Sequence, residues 1–384
     1  MIIFVSNFFN HHQQPISEQL YKLTDGNYRF IEMEPMPESF KNGGYPTYDD
    51  LPMLIQAWKS ETELKKSFEL IKNSDVVLYG NLYKFNLINK RLKNGLLTFE
   101  VGERWFKRSG GGNLLSPRLL MSQAWYHAKF YNKPLYRLCA SAYASADLYK
   151  LKSFKNKCYK WGYFTIVPNL DVENILEARR GNCAVSIMAI GRFLPWKHHE
   201  LTIKAARILK EKGYNFKIDI YGSGAEFLKV KRLIDKLELW DNVALKGNKQ
   251  NADILQEIRK HDAMVFTSDR NEGWGAVVNE AMGNACPVIG SHATGAVPYL
   301  IKHGDNGLIF QSGDVADLAN QMEKIITSMD LRQNLAINAY STMKTLWSPE
   351  NAAKRLINLI ENIQVGKSSP YLDGPCSLAE LLNN

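Results

Sequence analysis

The sequence predicts an α/β protein with two doubly wound parallel sheets, one in each half of the chain. Short apolar runs typical of buried strands alternate with amphipathic stretches typical of helices, which indicates parallel sheets covered by helices. The 384 residues suffice for two domains, and 45% hydrophobic residues suffice for two cores. In such sheets ligands bind beyond the carboxyl ends of the strands, so the loops at those ends are the first candidates for a site.

The first half begins with the strand run IIFVS and a helical pattern from Pro15 to Leu23. The runs DVVLYG (75–80) and GLLTFEVG (95–102) predict two further strands. Spacing over residues 114–150 predicts helix, and YFTIVP (163–168) predicts a last strand that a proline ends. The predicted N-terminal domain is therefore 1–168.

The second half repeats the alternation more clearly. Strands are predicted at AVSIMAIG, FKIDIYG, NVALKG, AMVFTS, CPVIG and GLIF, with helices between most of them. The polar segment 169–182 contains the expected domain boundary, which gives a C-terminal domain over 169–346. An amphipathic helix is predicted over 347–364, with Ser348 and Pro349 at its start, and the tail 365–384 receives no assignment.

Composition excludes several classes of protein. No run of about 18 apolar residues is present, and the start MIIFVSN lacks the features of a secretory signal, so we expect a cytoplasmic protein. Five cysteines without a C-x-x-C pair predict buried, reduced thiols and no disulfide frame or zinc site. The net charge of +9 lies in residues 1–168, which hold 23 Lys and Arg against 14 Asp and Glu. This excess suits an anionic lipid surface, a phosphate-bearing substrate or nucleic acid, or only a solvated surface.

Two loops of the second half carry cations and glycines. In GRFLPWKHHE, Arg192 and Lys197 stand before a helix, where they can clamp a diphosphate or act as ordinary surface cations. The turn YGSGAE has Gly222 and Gly224 but lacks the third glycine of a dinucleotide fingerprint, so a tight turn explains it.

The segment NEGWGAVVNEAM places Glu272 in a predicted loop and Glu280 about one turn inside a predicted helix. Gly273 and Gly275 allow the backbone to approach a ligand closely, and carboxylates accept hydrogen bonds from sugar hydroxyls. The segment therefore predicts a crevice for a sugar joined to a diphosphate. The alternative is two solvated glutamates that share no ligand.

Taken together, these motifs resemble the family 4 retaining glycosyltransferases. The likeness runs from about 185 to 345 and comprises G-R-x4-K, YGSGAE, NVALKG, E-x7-E, GNACPVIG and HGDNGLIF, in the order that the family shows. The resemblance implies the GT-B fold, in which two Rossmann-like doubly wound domains face a central cleft. It also implies that the helix 347–364 crosses back to the N-terminal domain.

The resemblance also implies roles for individual residues. Arg192 and Lys197 would bind the donor diphosphate, Glu280 the ribose, and Glu272 the transferred sugar. The remaining residues expected to line the donor site are Gly191, Gly222, Gly224, Gly247, Gly273, Trp274, Gly275 and Ala276. Arg192, Lys197 and Glu272 are the expected catalytic groups. The family needs neither metal nor cofactor, and UDP is its commonest donor nucleotide.

The N-terminal half departs from the family. Where many members have a glycine-rich loop, this chain reads SNFFNHHQQP, so Asn10, His11 and His12 are candidates for the acceptor or sugar side, or for capping the helix that follows. Glu103 or Arg104 stands where many members have a histidine. The histidine of those members therefore has no counterpart at this place in the sequence.

Cations interleaved with aromatics at 104–108 and 150–161 favour contact with an anionic membrane and a lipid-linked acceptor. No RNA-binding motif accompanies them, so nucleic acid is not an expected partner. Peripheral attachment to the inner face of the cell membrane is one expectation.

The sequence thus predicts a retaining, metal-independent glycosyltransferase that moves a sugar from a nucleotide-diphosphate donor to a saccharide or lipid-linked acceptor. Cell-surface polysaccharide or glycolipid synthesis is the expected setting. An epimerase or phosphorylase on the same fold is one alternative. A catalytically silent nucleotide-sugar-binding partner protein is another.

Overall fold

A computed structural model gives the structure of the protein and describes residues 1–41, 45–80, 85–107 and 117–382. The chain divides into two compact units, each described here by itself. The N-terminal unit comprises 1–165 and 346–384, and the C-terminal unit comprises 166–345. Among the described residues, no helix combines the length and the apolar character that crossing a bilayer requires.

The strands and helices alternate through both units. The strands are β1 (Ile2–Ser6), β2 (Tyr28–Glu32), β3 (Leu54–Gln56), β4 (Val76–Tyr79), β5 (Leu97–Gly102), β6 (Leu135–Cys139), β7 (Cys158–Lys160), β8 (Val185–Ile190), β9 (Phe216–Tyr221), β10 (Val243–Gly247), β11 (Ala263–Phe266), β12 (Val288–Ser291) and β13 (Gly307–Phe310). The helices are α1 (Gln14–Leu23), α2 (Glu38–Lys41), α3 (Glu61–Asn73), α4 (Phe85–Lys93), α5 (Pro117–Lys129), α6 (Ala144–Lys150), α7 (Val172–Arg180), α8 (His199–Glu211), α9 (Phe227–Lys236), α10 (Asn251–Ile258), α11 (Ala276–Gly283), α12 (Val297–Leu300), α13 (Val315–Thr327), α14 (Met329–Lys344) and α15 (Pro349–Gln364). Short 3-10 helices lie at Ala57–Lys59 and Pro195–Lys197.

Each unit contains one parallel sheet. The strand order is β3-β2-β1-β4-β5-β6-β7 in the N-terminal unit and β10-β9-β8-β11-β12-β13 in the C-terminal unit. All named strand pairs are parallel, and most strands are buried along their length, as helices on both faces require. The predicted doubly wound α/β architecture is therefore confirmed in both halves.

Three details differ from the sequence prediction, two in the first half and one at the start of the second. The region 114–150 is not continuous helix, because β6 lies between α5 and α6 as an interior strand of the sheet. Residues 163–168 form no strand, and β7 immediately before them takes the edge position. The polar segment 169–182 contains the helix α7, whose first turn is capped by the Asp171 side chain.

The cysteine prediction holds for four of the five thiols. Cys139, Cys158, Cys286 and Cys376 are buried and unpaired, whereas Cys183 is exposed. Cys183 lies in the short connection between α7 and β8, where the main chain runs over the surface.

The C-terminal segment of the chain belongs to the N-terminal unit. Helix α15 begins as predicted after Ser348, whose Oγ accepts a hydrogen bond from Asn351 N at 3.2 Å, and it packs against α1. The tail then pairs with the edge strand β7: Cys376 N donates to Lys160 O at 2.8 Å, and Lys160 N donates to Ser377 O at 2.7 Å. The tail therefore covers the edge of the sheet, which would otherwise present unpaired backbone groups.

A buried lysine reinforces this edge contact. The Lys160 side chain is 7% exposed, and its Nζ lies 3.0 Å from Asp373 Oδ1 and 3.1 Å from Glu380 Oε1. Both carboxylates belong to the tail. Removing the tail would leave a largely buried ammonium without its two partners.

Deletion of residues 370–384 is therefore expected to destabilise the N-terminal unit by about 3 kcal/mol or more, since it removes several backbone hydrogen bonds and both partners of Lys160. Light scattering should also report aggregation through the uncovered edge of β7. Thermal unfolding measures the loss of stability, and deletion of 381–384 alone serves as the control. An unchanged melting temperature after the longer deletion would show that the tail is not part of the folded unit.

Candidate active site

The candidate site lies where the strand order of the C-terminal sheet reverses. From β8 the chain proceeds to β9 and β10 on one side, and then returns to β11 on the other side of β8. The carboxyl ends of β8 and β11 therefore flank the switch point at which open α/β sheets bind ligands. We call residues 191–198, after β8, the cation loop and residues 267–275, after β11, the acid loop.

The two loops bring Lys197 and Glu272 together. Lys197 Nζ lies 2.5 Å from Glu272 Oε2, and the two side chains are only 13% and 18% exposed. The same ammonium lies 5.3 Å from the centre of the Phe266 ring, within range of a cation–π contact. A cation and a carboxylate predicted from separate motifs thus form one ion pair at the switch point.

Arg192 stands at the start of the cation loop and is exposed. Within the part of the chain that the structure describes, its guanidinium has no hydrogen-bond or ion-pair partner. A guanidinium that is not engaged by the protein keeps its donors available for two oxygens of a phosphate group. Its location on the loop of Lys197 fits the predicted diphosphate clamp.

The glycines of the YGSGAE turn serve the cation loop. Gly222 and Gly224 have φ of +140° and +147°, and a Cβ on Gly222 would overlap the carbonyl oxygen of Gly191. A Cβ on Gly224 would lie 2.6 Å from Phe193 O. The turn therefore allows the backbone of the cation loop to pass directly over it.

Backbone hydrogen bonds fix this close approach. Gly191 N donates to Tyr221 O at 3.0 Å, Phe193 N donates to Ser223 O at 2.8 Å, and Gly222 N donates to Gly247 O at 2.8 Å. The structure thus brings together the four glycines predicted around the nucleotide outside the acid loop: Gly191, Gly222, Gly224 and Gly247. A packing role for Gly222 and Gly224 was not foreseen, because it depends on a contact between loops about 30 residues apart.

The glycines and tryptophan of the acid loop have unequal surroundings. Gly275 has φ of +98°, and a Cβ there would lie 2.8 Å from Phe266 Cε1, so both conformation and space favour glycine. Trp274 is buried, and its Nε1 donates to Asn279 Oδ1 at 2.8 Å. This hydrogen bond fixes the indole against α11, and Ala296 N donates to Trp274 O at 3.0 Å. The donor contacts predicted for Gly273, Trp274 and Ala276 stay predictions.

Glu280 lies on α11, one turn from its first residue, Ala276, as predicted. Burial raises the pKa of its carboxyl group to about 7, and a hydrogen bond with Asn251 acts in the opposite direction. The structure records no contact of Glu280 with Lys197 or Glu272. Glu280 therefore stands apart from the Lys197–Glu272 pair, and its predicted contact with the ribose stays a prediction.

In the N-terminal unit, the polar residues after β1 form a compact loop. Asn10 Oδ1 accepts from His12 N at 2.9 Å, and Gln13 Oε1 accepts from Asn10 N at 3.1 Å. Among the described residues no side chain caps α1, and its first N–H group, that of Gln14, donates instead to the main-chain Asn10 O at 3.1 Å. Burial lowers the pKa of both His11 and His12, the latter to about 3, so both rings are neutral near pH 7.

Glu103 is linked to this loop through a tyrosine. Tyr163 OH donates to Glu103 Oε1 at 2.6 Å, and the Tyr163 ring stacks on His12 with 5.7 Å between ring centres. Lys107 forms an ion pair with Glu103. The sequence analysis did not single out Tyr163, because its partners are remote in sequence.

Arg104 occupies a different environment from Glu103. Its side chain is 2% exposed, its Nη2 lies 3.4 Å from Asp147 Oδ1, and its guanidinium stacks over Tyr143. Asp147 also accepts from the backbone N–H groups of Trp105 and Phe106, both at 3.0 Å. Such an enclosed arginine holds the chain after β5 in place, whereas contact with an acceptor or a lipid requires exposure.

The basic segment that suggested a membrane is only partly described. Arg104 and Phe106 are buried, and Lys107 is paired with Glu103. Arg108 and the glycines after it lie outside the described residues. These contacts enclose Arg104 and Phe106, whereas Lys107 remains partly exposed in its ion pair.

Two further residues connect the cation and acid loops and were not predicted. His198 Nδ1 lies 2.8 Å from Glu200 Oε1, and its Nε2 lies 3.1 Å from Asp269 Oδ2. The only sequence signal was the cluster of a histidine pair and an acid directly after Lys197. Asp269 lacked any motif of its own.

Comparisons with known proteins agree with this geometry. Residues 184–342 match the family model for glycosyl transferases group 1. The N-acetyl-alpha-D-glucosaminyl L-malate synthase of Bacillus anthracis is 29% identical over 154 residues, which are 40% of this chain and 39% of that protein. The capsular polysaccharide biosynthesis glycosyltransferase CapM of Staphylococcus aureus is 31% identical over 165 residues, 42% of each chain. The matched region thus spans about two fifths of the length of these relatives.

Structural likeness extends further along the chain. The crystal structure of Anabaena HepE in complex with UDP superposes with a TM-score of 0.69 at 15% identity, covering 94% of this chain and 99% of that chain. This likeness confirms the predicted GT-B fold. The matched residues 184–342 contain both the cation loop and the acid loop, so the similarity to glycosyl transferases group 1 covers the candidate site.

Proposed function

We propose that the protein is a retaining glycosyltransferase that transfers a sugar from a nucleotide-diphosphate donor, with UDP as the nucleotide, to a saccharide or lipid-linked acceptor. Polysaccharide or glycolipid assembly is the proposed setting. The observation that carries the proposal is the Lys197–Glu272 pair at the switch point of the C-terminal sheet, with the exposed Arg192 on the same loop as Lys197. The named activities of the related proteins support the same class of reaction.

The ion pair gives each partner a defined task. Without donor, each charge neutralises the other in a site where both are largely shielded from water. A bound diphosphate would compete with Glu272 for the Lys197 ammonium and release the carboxylate to accept hydrogen bonds from sugar hydroxyls. Phosphate binding and sugar binding are then coupled through one side chain.

The chemical step breaks the bond between the anomeric carbon and the diphosphate oxygen, whose electrons remain on the nucleotide. Arg192 and Lys197 would stabilise this developing charge, and they act more strongly in the transition state than in the bound donor. The acceptor oxygen bonds to the anomeric carbon on the same face, and its proton passes to the departing phosphate oxygen. Asn10, His11, His12 and Glu103 are the proposed acceptor-side groups. Neutral histidines can accept or donate a hydrogen bond to a hydroxyl.

The function is tested by incubating the protein with labelled UDP-sugars in the presence of EDTA, with and without candidate saccharide acceptors. We first expect a matching donor to raise the melting temperature by mass action. We then expect labelled product with the donor's anomeric configuration only when acceptor is added. Conversion of donor without acceptor would favour an epimerase, dependence on free phosphate would favour a phosphorylase, and binding without turnover would favour a silent partner protein. Loss of activity in EDTA that added metal restores would contradict metal independence.

A further inference from the structure

His198 occupies the junction between the cation loop and the acid loop. It follows Lys197 directly and precedes the first residue of α8. Its backbone adopts the left-handed conformation, with φ of 50° and ψ of 42°. Few residues other than glycine adopt this conformation, although asparagine, aspartate and histidine do so more often than the rest. Contacts of the imidazole help to hold the backbone in it here.

The imidazole makes two such contacts, one with each of the two elements. Nδ1 lies 2.8 Å from Glu200 on α8, and Nε2 lies 3.1 Å from Asp269 on the acid loop. Carboxylates only accept hydrogen bonds when ionised, so both ring nitrogens must donate and the ring must be protonated. The arrangement is one positive charge between two negative charges.

Asp269 links His198 to the rest of the acid loop through further hydrogen bonds. Its backbone N–H donates to Trp196 O at 3.0 Å, and its carbonyl accepts from Glu272 N at 3.0 Å. Its Oδ1 also accepts from Asn271 N at 2.7 Å. A shift of Asp269 would therefore move Glu272, which lies three residues later in the same turn.

Protonation of His198 is favoured by its surroundings. Hydrogen bonds with Asp269 and then Glu200 raise its pKa to about 9, against the opposing effect of burial. Other charges on the adjoining elements include the Lys197–Glu272 pair and Arg270, which follows Asp269 in the acid loop. Lys229 on the neighbouring helix α9 and Glu226 at its N-cap pair with each other. The ring is therefore charged throughout the physiological range.

We propose that His198 is a positioning residue that fixes Glu272, on the sugar side, relative to Lys197, on the diphosphate side, by bridging Asp269 and Glu200. This inference rests on the proposed function, because it assigns those two sides. His198 need not touch the substrate. Its contribution is to restrict the motion of the two loops before the donor binds.

The test replaces His198 with asparagine, which tolerates the left-handed backbone but cannot donate to both carboxylates. We expect His198→Asn to lower kcat/KM for the donor about tenfold at pH 7, mainly through kcat, since the loops are misaligned rather than absent. His303→Asn, an exposed histidine of the same unit, is the matched control and should retain full activity. Asp269→Asn should reproduce the loss, and the double variant should be no worse than either single variant.

A pH series distinguishes this role from a purely structural one. The activity ratio of wild type to His198→Asn should be constant up to about pH 8 and fall towards one as the pH rises through about 9, because the imidazolium loses its proton. The extra thermal stability of the wild type should follow a related course. It should be complete below about pH 6.5, the pKa of an unperturbed histidine, and lost as the pH rises through about 9.

Each outcome has one meaning. Unchanged kcat/KM in His198→Asn at pH 7, or an activity ratio that stays constant from pH 7 to 10, would overturn the positioning role. Absence of turnover and of UDP binding in the wild type itself would overturn the proposed function. The pH dependence of the stability difference needs no donor, so it would still decide whether His198 bridges the two loops.

Discussion

Replacing Lys197 with alanine is expected to reduce turnover about a hundredfold or more, because the ammonium is the closest fixed cation to Glu272 and would stabilise the leaving diphosphate. Binding of the donor should weaken less than turnover, since charge on the diphosphate grows in the transition state. Steady-state kinetics with the matching UDP-sugar measures both quantities.

The free energy of unfolding should change much less than turnover in the Lys197→Ala variant. The variant leaves the Glu272 carboxylate, 18% exposed, without its counter-ion, which we expect to cost about 1 kcal/mol after screening by solvent. Lys229→Ala removes a lysine from the surface pair on α9 and should leave kinetics unchanged. Turnover of Lys197→Ala within twofold of the wild type would remove Lys197 from the mechanism.

Replacing Gly222 with alanine is expected to disable the site through the backbone. The new Cβ would overlap the carbonyl oxygen of Gly191, and the φ of +140° is unsuited to any residue with a side chain. Since the obstacle is main chain, the cation loop itself must move. We expect a loss of about 2 kcal/mol or more in stability, and a fall in kcat/KM of about a hundredfold, because a displaced loop carries Arg192 and Lys197 with it.

Gly181→Ala is the matched control for this change. Gly181 has φ of −72°, and a Cβ there would meet its nearest neighbour, Ala178 O, at an ordinary 3.5 Å. Denaturant unfolding and donor kinetics should both be close to wild type in this variant. If Gly222→Ala also retained wild-type stability and kinetics, the close approach of the Gly222 turn to the cation loop would be contradicted.

The strands of the C-terminal unit were predictable because they are continuous apolar runs that glycine, proline or polar residues interrupt. Buried parallel strands require this pattern, and a local window of sequence contains it. β6 was harder to predict from the sequence. Its segment LYRLC follows a long aromatic and apolar helix, and hydrophobic periodicity does not distinguish a short buried strand from a helix. The pairing of the tail with β7 depends on Cys376 and Lys160, more than 200 residues apart, and no local pattern encodes it.

The candidate site was likewise predictable only in part. The types of residue at 192, 197, 272 and 280 indicated anion and hydroxyl binding, and the strand order places the cation and acid loops side by side. The sequence did not reveal that Lys197 and Glu272 form a pair or that His198 bridges the loops. These contacts arise from the register of β8 and β11, which is a property of the folded sheet.

For Arg104, the sequence pattern indicated exposure where the structure shows burial. A basic residue beside aromatics indicated an exposed binding segment, whereas the guanidinium is enclosed against Asp147 and Tyr143. Composition does not distinguish an exposed cation from one that neutralises a buried carboxylate, because the partner acid lies on another element. Only the position of α6 decides between them.

The central claim is that the cation loop and the acid loop hold one nucleotide sugar. A crystal structure of the protein with UDP and with its UDP-sugar tests this claim most directly. The account predicts the diphosphate within hydrogen-bond distance of Arg192 and Lys197, and the sugar hydroxyls against Glu272 with its ion pair to Lys197 opened. A nucleotide bound away from the carboxyl ends of β8 and β11, or a Lys197–Glu272 pair unchanged in the complex, would contradict it.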